Sequence, residues 1–88
     1  MSYQVKLRRA TQKQIDKLAG RDYRAVARVI STLEQEPRPS GVKKLAESGL
    51  WHIRAGRYYR VVYAIDDKGS LVIVVRVARR TEDTYRRL

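Results

Sequence analysis

Apolar and polar residues alternate one for one at the start of the chain. Tyr3-Gln4-Val5-Lys6-Leu7-Arg8 has the period of a strand that faces a core on one side only. The spacing then lengthens. Thr11-Gln12-Lys13-Gln14 has the form of a capping box, in which the Thr11 hydroxyl and the Gln14 amide would satisfy free N–H groups at a helix start. Ile15 and Leu18 give that short helix a narrow apolar stripe, and Gly20 is its expected stop because glycine tolerates the left-handed backbone. Asp22 is placed to cap a second helix, where Val26, Val29, Ile30 and Leu33 recur at i, i+3, i+4 and i+7 and Arg21, Arg24 and Arg28 lie largely off that face. Together these segments predict a helical hairpin.

Glu36-Pro37-Arg38-Pro39-Ser40-Gly41 ends the second helix, since proline cannot continue it and restricts the residue before it, and a connecting loop begins there. From Leu50 the period returns to two. Trp51, Ile53 and Ala55 point one way while His52 and Arg54 point the other. In the next strand Tyr59, Val61, Tyr63 and Ile65 share one face, with Tyr58, Arg60, Val62 and Ala64 opposite. Asp66-Asp67-Lys68-Gly69 supplies the turn formers of a hairpin. Residues 71–75 are continuously apolar, as in a central strand covered on both sides; residues 76–80 carry that strand into basic territory, and 81–88 form a charged tail holding Tyr85. The order β, α, α, β, β, β predicts an α+β fold, with the helical hairpin packed on one face of a mostly antiparallel sheet and the other face left for function.

Length and composition narrow the setting. Eighty-eight residues, 43% of them hydrophobic, suit one domain over residues 1–88 with a modest core. Cysteine is absent, so neither disulfides nor thiolate metal sites are available, which fits a reducing compartment; with no apolar signal core and no stretch of about 20 apolar residues, the cytoplasm is the expected location and no membrane partner is expected. The formal net charge of +11 changes the picture most. Such a surface seeks polyanions, and arginine, which outnumbers lysine here, suits bidentate contact with phosphate. RNA, DNA or an acidic protein are the candidates, set against a generally basic surface with no designated ligand.

Strand parity states which of these cations can meet. With a three-residue turn at Gly56-Arg57-Tyr58, Arg54 lies opposite Arg60 and His52 opposite Val62, so His52, Arg54 and Arg60 share a face. Like charges directly opposite destabilise a sheet, which makes the pair a candidate phosphate site; a two-residue turn would send Arg60 away from Arg54. The plainer reading makes both arginines solvated residues of an exposed sheet face. His52, the one histidine, reads as a surface residue first, although it can titrate near neutral pH, while Trp51 and the tyrosines of the strand from Tyr59 read as packing residues first and base-stacking residues second. No HExxH, P-loop or GxGxxG motif and no Cys/His cluster is present, so the sequence gives no support to a metal or nucleotide cofactor.

At Gly56-Arg57-Tyr58-Tyr59-Arg60-Val61-Val62-Tyr63-Ala64-Ile65-Asp66 the chain resembles the RelE/ParE toxin superfamily, whose corresponding strand commonly reads Y-R-V-V/I-Y. Lys44-Leu45 followed by Leu50-Trp51-His52-Ile53-Arg54, and Val77-Ala78-Arg79-Arg80 with Tyr85, resemble further stretches of the same family, and the likeness runs over roughly residues 3 to 86. RelE-type members are mRNA interferases: they enter the ribosomal A site and cleave mRNA by attack of a ribose 2′-hydroxyl on the adjacent phosphate, without metal. The resemblance implies that Arg60 stabilises the phosphate, that Arg80 is an acid or charge stabiliser, and that Tyr85 orients or stacks on the substrate. His52 and Arg54 fall where the best-known member has two lysines, one a proposed base. Arginine is a poor proton acceptor, so Arg54 is better cast as a phosphate clamp and His52 as the base.

The same resemblance implies an acidic RelB/Phd-like antitoxin as partner, beside ribosome and mRNA, and the charge of +11 makes that pairing physically reasonable. Two other classes stay open. A ParE-like toxin would poison DNA gyrase on this fold without nuclease chemistry, and a basic module could bind nucleic acid without catalysis.

Overall fold

In a computed structural model, which describes residues 2–45 and 47–79, the strands are β1 (Gln4–Leu7), β2 (Lys43–Lys44), β3 (Trp51–Ala55), β4 (Tyr59–Asp66) and β5 (Leu71–Arg79), and the helices α1 (Arg9–Asp16) and α2 (Gly20–Gln35). The strands form one five-stranded sheet in the order β1-β5-β4-β3-β2, with β1 parallel to β5 and every other pair antiparallel. The expected α+β architecture is the observed one. Its one addition is β2, which pairs Lys43 with His52 and Lys44 with Trp51 inside the stretch read as a loop; two residues are too few to show a period.

Burial explains the layering. Val26 and Leu33 of α2 are completely buried against Ala55, Val61, Tyr63, Val72 and Val74 of the sheet, with Ile15 of α1 and Val77 closing the core. Val29 and Ile30, the rest of the apolar stripe of α2, pack at its edge. The core is pinned to the loop after α2 by the Tyr63 hydroxyl, which donates to the Pro37 carbonyl at 2.7 Å, and burial pushes that hydroxyl's pKa up to about 12. Near the surface, Arg38 grips Asp67 with two bonds of 3.1 and 2.8 Å, Tyr3 donates to the same carboxylate at 2.8 Å, and the Arg38 guanidinium lies 5.0 Å from the centre of the Trp51 ring.

The capping box is not formed. Helix α1 starts earlier, at Arg9, and its N-cap Arg8 makes no side-chain cap bond. Thr11, fully buried, instead donates its hydroxyl to the Val74 carbonyl at 3.1 Å, and the Gln14 side-chain oxygen accepts the Val77 N–H at 2.9 Å. The cause is the length of β1. It pairs β5 only as far as Val74, so the rest of β5 has no strand on that side, and α1 lies along it and supplies hydrogen-bond partners to its backbone. Gly20 does take the left-handed backbone, with φ +56, but as the first residue of α2 and not as the stop of α1, which ends at Asp16. Asp22 accordingly sits in the first turn of α2, where a carboxylate favours the positive end of the helix, while Ala19 is the N-cap.

A β-bulge finishes the description. Val62 pairs with Arg76 but Tyr63 pairs with Val74, so Val75 is an extra residue on β5 and the strand's alternation slips by one there. Val72 and Val74 face the core before the bulge and Val77 after it. The helices cover that face alone; Leu71 and Ile73, on the opposite face, are half-buried.

Candidate phosphate-binding face

The register assembles the face opposite the helices. Across one level of the sheet run Lys43, His52, Val62 and Arg76, each paired with the next. At the next level Arg54 pairs with Arg60 and Arg60 with Ala78. Residues directly opposite one another share a face, with Cβ atoms about 5 Å apart. Because Val61 and Tyr63 face the core, Arg60 and Val62 must face away from it, and their partners face away with them. Lys43, His52, Arg54, Arg60 and Arg76 therefore lie together on two adjacent levels.

The turn decides this arrangement. Ala55 pairs with Tyr59 around a three-residue turn at Gly56, Arg57 and Tyr58, as the parity argument required, and Gly56 takes φ +67. Its close approach to α2 leaves no room for a side chain: a Cβ there would lie 2.9 Å from the Ala25 Cβ.

Of the residues singled out from sequence, the structure brings His52, Arg54 and Arg60 to one face; Arg80 and Tyr85 lie outside the described residues. Lys43 and Arg76 were missed. Lys43 belongs to a strand too short to read. Arg76 would point into the core if the alternation that buries Val72 and Val74 continued, and the bulge at Val75 turns it out. A charge at a position that strict alternation would bury is the signal that could have revealed the slip.

Electrostatics set the state of His52. Burial comes first and the positive charges of Arg60 and Lys43 second; all three disfavour the imidazolium and hold its pKa below the ordinary 6.5. At neutral pH the ring is therefore neutral and able to accept a proton. Asp66, which the register also brings to this face, sits at the far end of β4 and accepts the Gly69 N–H at 3.2 Å. Arg54 and Arg76 are exposed and Arg60 is half-buried. A neutral imidazole among guanidinium and ammonium groups can take a proton while its neighbours hold an anion. Among the described residues no group of three or more His, Cys, Asp or Glu could hold a metal ion.

Comparison with known proteins gives the family and matches the fold. The family model described as the ParE toxin of the type II toxin–antitoxin system parDE matches residues 5–84. The chain belongs to this toxin family, within the RelE/ParE superfamily. Among solved structures, the toxin in the archaeal RelE–RelB complex of Pyrococcus horikoshii is 30% identical, with a TM-score of 0.81 over 93% of this chain and 99% of that one. A RelBE toxin–antitoxin complex of Mycobacterium tuberculosis gives 30% identity and a TM-score of 0.78 over 91% and 100% of the two chains. The isolated Escherichia coli RelE toxin, at 20% identity, shares the fold with a TM-score of 0.77 over 98% and 95%. None of the curated proteins matches the sequence. Among the described residues no helix is long and apolar enough to cross a membrane.

Proposed function

We propose that this type II toxin is a metal-independent endoribonuclease, residues 1–88 acting as one toxin domain in the cytoplasm, that cleaves mRNA in the ribosomal A site. The observation that carries the reading is the pairing of Arg54 with Arg60, one level from a His52 whose pKa is held below its ordinary value. Two guanidinium groups brought side by side on one face offer parallel N–H donors to the oxygens of one phosphodiester.

The chemistry follows from those roles. His52 takes the proton from a ribose 2′-hydroxyl, and the freed oxygen attacks the adjacent phosphorus. Arg54 and Arg60, joined by Arg76, hold the phosphate oxygens and stabilise the charge that builds on them. The P–O5′ bond breaks, the leaving oxygen takes a proton, and the products are a 2′,3′-cyclic phosphate and a 5′-hydroxyl. Arg80 is assigned as acid or charge stabiliser at the leaving oxygen and Tyr85 as the residue that orients the substrate; both assignments rest on the resemblance alone. An acidic antitoxin of the RelB/Phd kind is the partner that restrains the toxin, as RelB accompanies RelE in the Pyrococcus horikoshii complex.

A second reading has its own support. The matching family model is that of ParE, so inhibition of DNA gyrase without nuclease chemistry is the alternative. Primer extension on mRNA from an in-vitro translation reaction, run beside a supercoiling assay, separates the two. Codon-periodic cuts abolished by Arg60→Ala and strongly reduced by His52→Ala are expected. Intact mRNA with blocked supercoiling would overturn the nuclease reading, and cleavage by His52→Ala within a few-fold of wild type would remove His52 from the base role.

A further inference from the structure

Cleavage engages His52, Arg54, Arg60 and Arg76 and leaves Lys43, on the same face, without a part. Lys43 belongs to β2, whose two residues point to opposite sides of the sheet. Lys44 pairs with Trp51, which in turn pairs with core-facing Tyr63, and the Lys44 ammonium lies 5.5 Å from the centre of the Trp51 ring. Lys43 pairs with His52 and so faces away from the core, its Cβ about 5 Å from that of the histidine. Both ends of β2 are held. The Leu45 N–H donates to the Leu50 carbonyl at 2.7 Å, the Val42 N–H donates to the Pro39 carbonyl at 3.1 Å, and the Val42 side chain packs against the core. Lys43 itself is exposed, and among the described residues no carboxylate pairs with it. Its charge acts on His52, whose imidazolium it disfavours.

The order of groups across the face carries the argument. Arg54 pairs with Arg60, His52 lies two residues from Arg54 along β3, about 7 Å, and Lys43 stands across from His52 on the side away from Val62 and Arg76. A ribonucleotide chain presents its groups in the same order: the scissile phosphate on the 3′ oxygen of a ribose, the 2′-hydroxyl beside it, and the preceding phosphate on the 5′ oxygen of that ribose. We infer that Lys43 is a second phosphate subsite, which binds the phosphate on the 5′ side of the ribose whose 2′-hydroxyl meets His52, while Arg54 and Arg60 hold the scissile phosphate. The inference rests on the reading of that face as an RNA phosphodiester site. An ammonium is a point charge with three donors and accepts a phosphate from many angles, whereas the paired guanidinium groups fix the orientation of the reacting one. Attachment at two points also sets the polarity of the strand. With the 5′ phosphate at β2, the chain downstream of the cut is directed toward β4 and β5.

The test uses dinucleotides whose first ribose lacks the 2′-hydroxyl, so that they cannot be cut: one with the internucleotide phosphate alone, one with an added 5′-phosphate and one with an added 3′-phosphate. Dissociation constants are read by NMR titration at neutral pH and low ionic strength, with the imidazole of His52, the one histidine, as reporter. The wild type should bind both phosphorylated dinucleotides more tightly than the plain one, because the whole chain is strongly basic. Lys43→Ala should weaken binding of the 5′-phosphorylated dinucleotide about 2- to 5-fold, the scale of one exposed ion pair, and leave the other two unchanged. Lys43→Arg keeps the charge and should bind like wild type. Lys68→Ala removes the same charge at the exposed turn between β4 and β5 and should change none of the three, whereas Arg60→Ala should weaken all of them. Amide spectra check that each variant is folded. A Lys43→Ala variant that binds the 5′-phosphorylated dinucleotide like wild type, or that loses as much on the plain or 3′-phosphorylated one, would overturn the subsite. If Arg60→Ala still weakened all three, the phosphodiester site would stand without it. A wild-type imidazole that none of the dinucleotides perturbs would remove the phosphodiester site itself, and the subsite with it.

Discussion

Replacing Gln14 by alanine takes away the oxygen that accepts the Val77 N–H at 2.9 Å, on the stretch of β5 where β1 has already ended. The amide is part-buried and α1 lies over that edge, so water can replace the lost partner only incompletely. Leaving such a donor unsatisfied costs about 1–3 kcal/mol. In a chain of this size each kcal/mol lowers Tm by about 4–8 °C. Gln14 and Thr11 hold β5 on either side of the bulge at Val75, and the bulge is what turns Arg76 onto the cationic face. Loosening Gln14 should therefore cost activity as well as stability, although Gln14 lies against the opposite edge of β5 from β4. Gln14→Glu keeps an acceptor at the same reach and should recover most of both losses at neutral pH. Urea denaturation gives the free-energy difference, and mRNA cleavage measured well below the melting range gives the functional one. A Gln14→Ala variant within about 0.3 kcal/mol of wild type would refute the edge-capping argument, being smaller than any unsatisfied donor of this kind. So would a Gln14→Glu variant no more stable than Gln14→Ala.

Other consequences are equally direct. The imidazole of His52 should titrate at higher pH in Arg60→Ala, and also in Lys43→Ala, because each removes a positive charge that disfavours the imidazolium; NMR titration of the one histidine reads this. Cleavage by the wild type should fall as pH drops through the His52 pKa, at a point below 6.5. The Tyr63 hydroxyl has a folded pKa raised from 10.0 to about 12, so its contribution is fully present below pH 10 and is lost between pH 10 and 12 at up to about 1.4 kcal/mol per pH unit, as the unfolded chain alone releases the proton. Tyr63→Phe lacks that loss and costs about 1–3 kcal/mol at neutral pH, because the buried Pro37 carbonyl loses its donor; denaturation curves across the pH range test both. Gly56→Ala should destabilise by at least about 1–2 kcal/mol for the left-handed backbone alone, with a further cost from the 2.9 Å approach to the Ala25 Cβ that Ala25→Gly partly relieves.

What the sequence determined by itself is whatever depends on local period and on turn chemistry. The apolar stripe of α2 and the alternation in β3 and β4 were legible because a helix or strand half-buried in a core must repeat its apolar residues at its own period. Parity tied the pairing of Arg54 with Arg60 to a three-residue turn at Gly56, and the structure, which has that turn, chose it over the two-residue alternative. The family followed from the Tyr59-Arg60-Val61-Val62-Tyr63 strand and its neighbours, and the match over residues 5–84 bears it out. Three features were decided only in three dimensions. Thr11 and Gln14 look like a cap because that spacing is a good local solution, but an unpaired stretch of β5 competes for the same groups and takes them. Lys43 reaches the face through a strand of two residues, too short for any period. Arg76 is outside because one extra residue on β5 has no partner on β4, and a bulge belongs to the pairing of two strands, so neither strand's own pattern contains it.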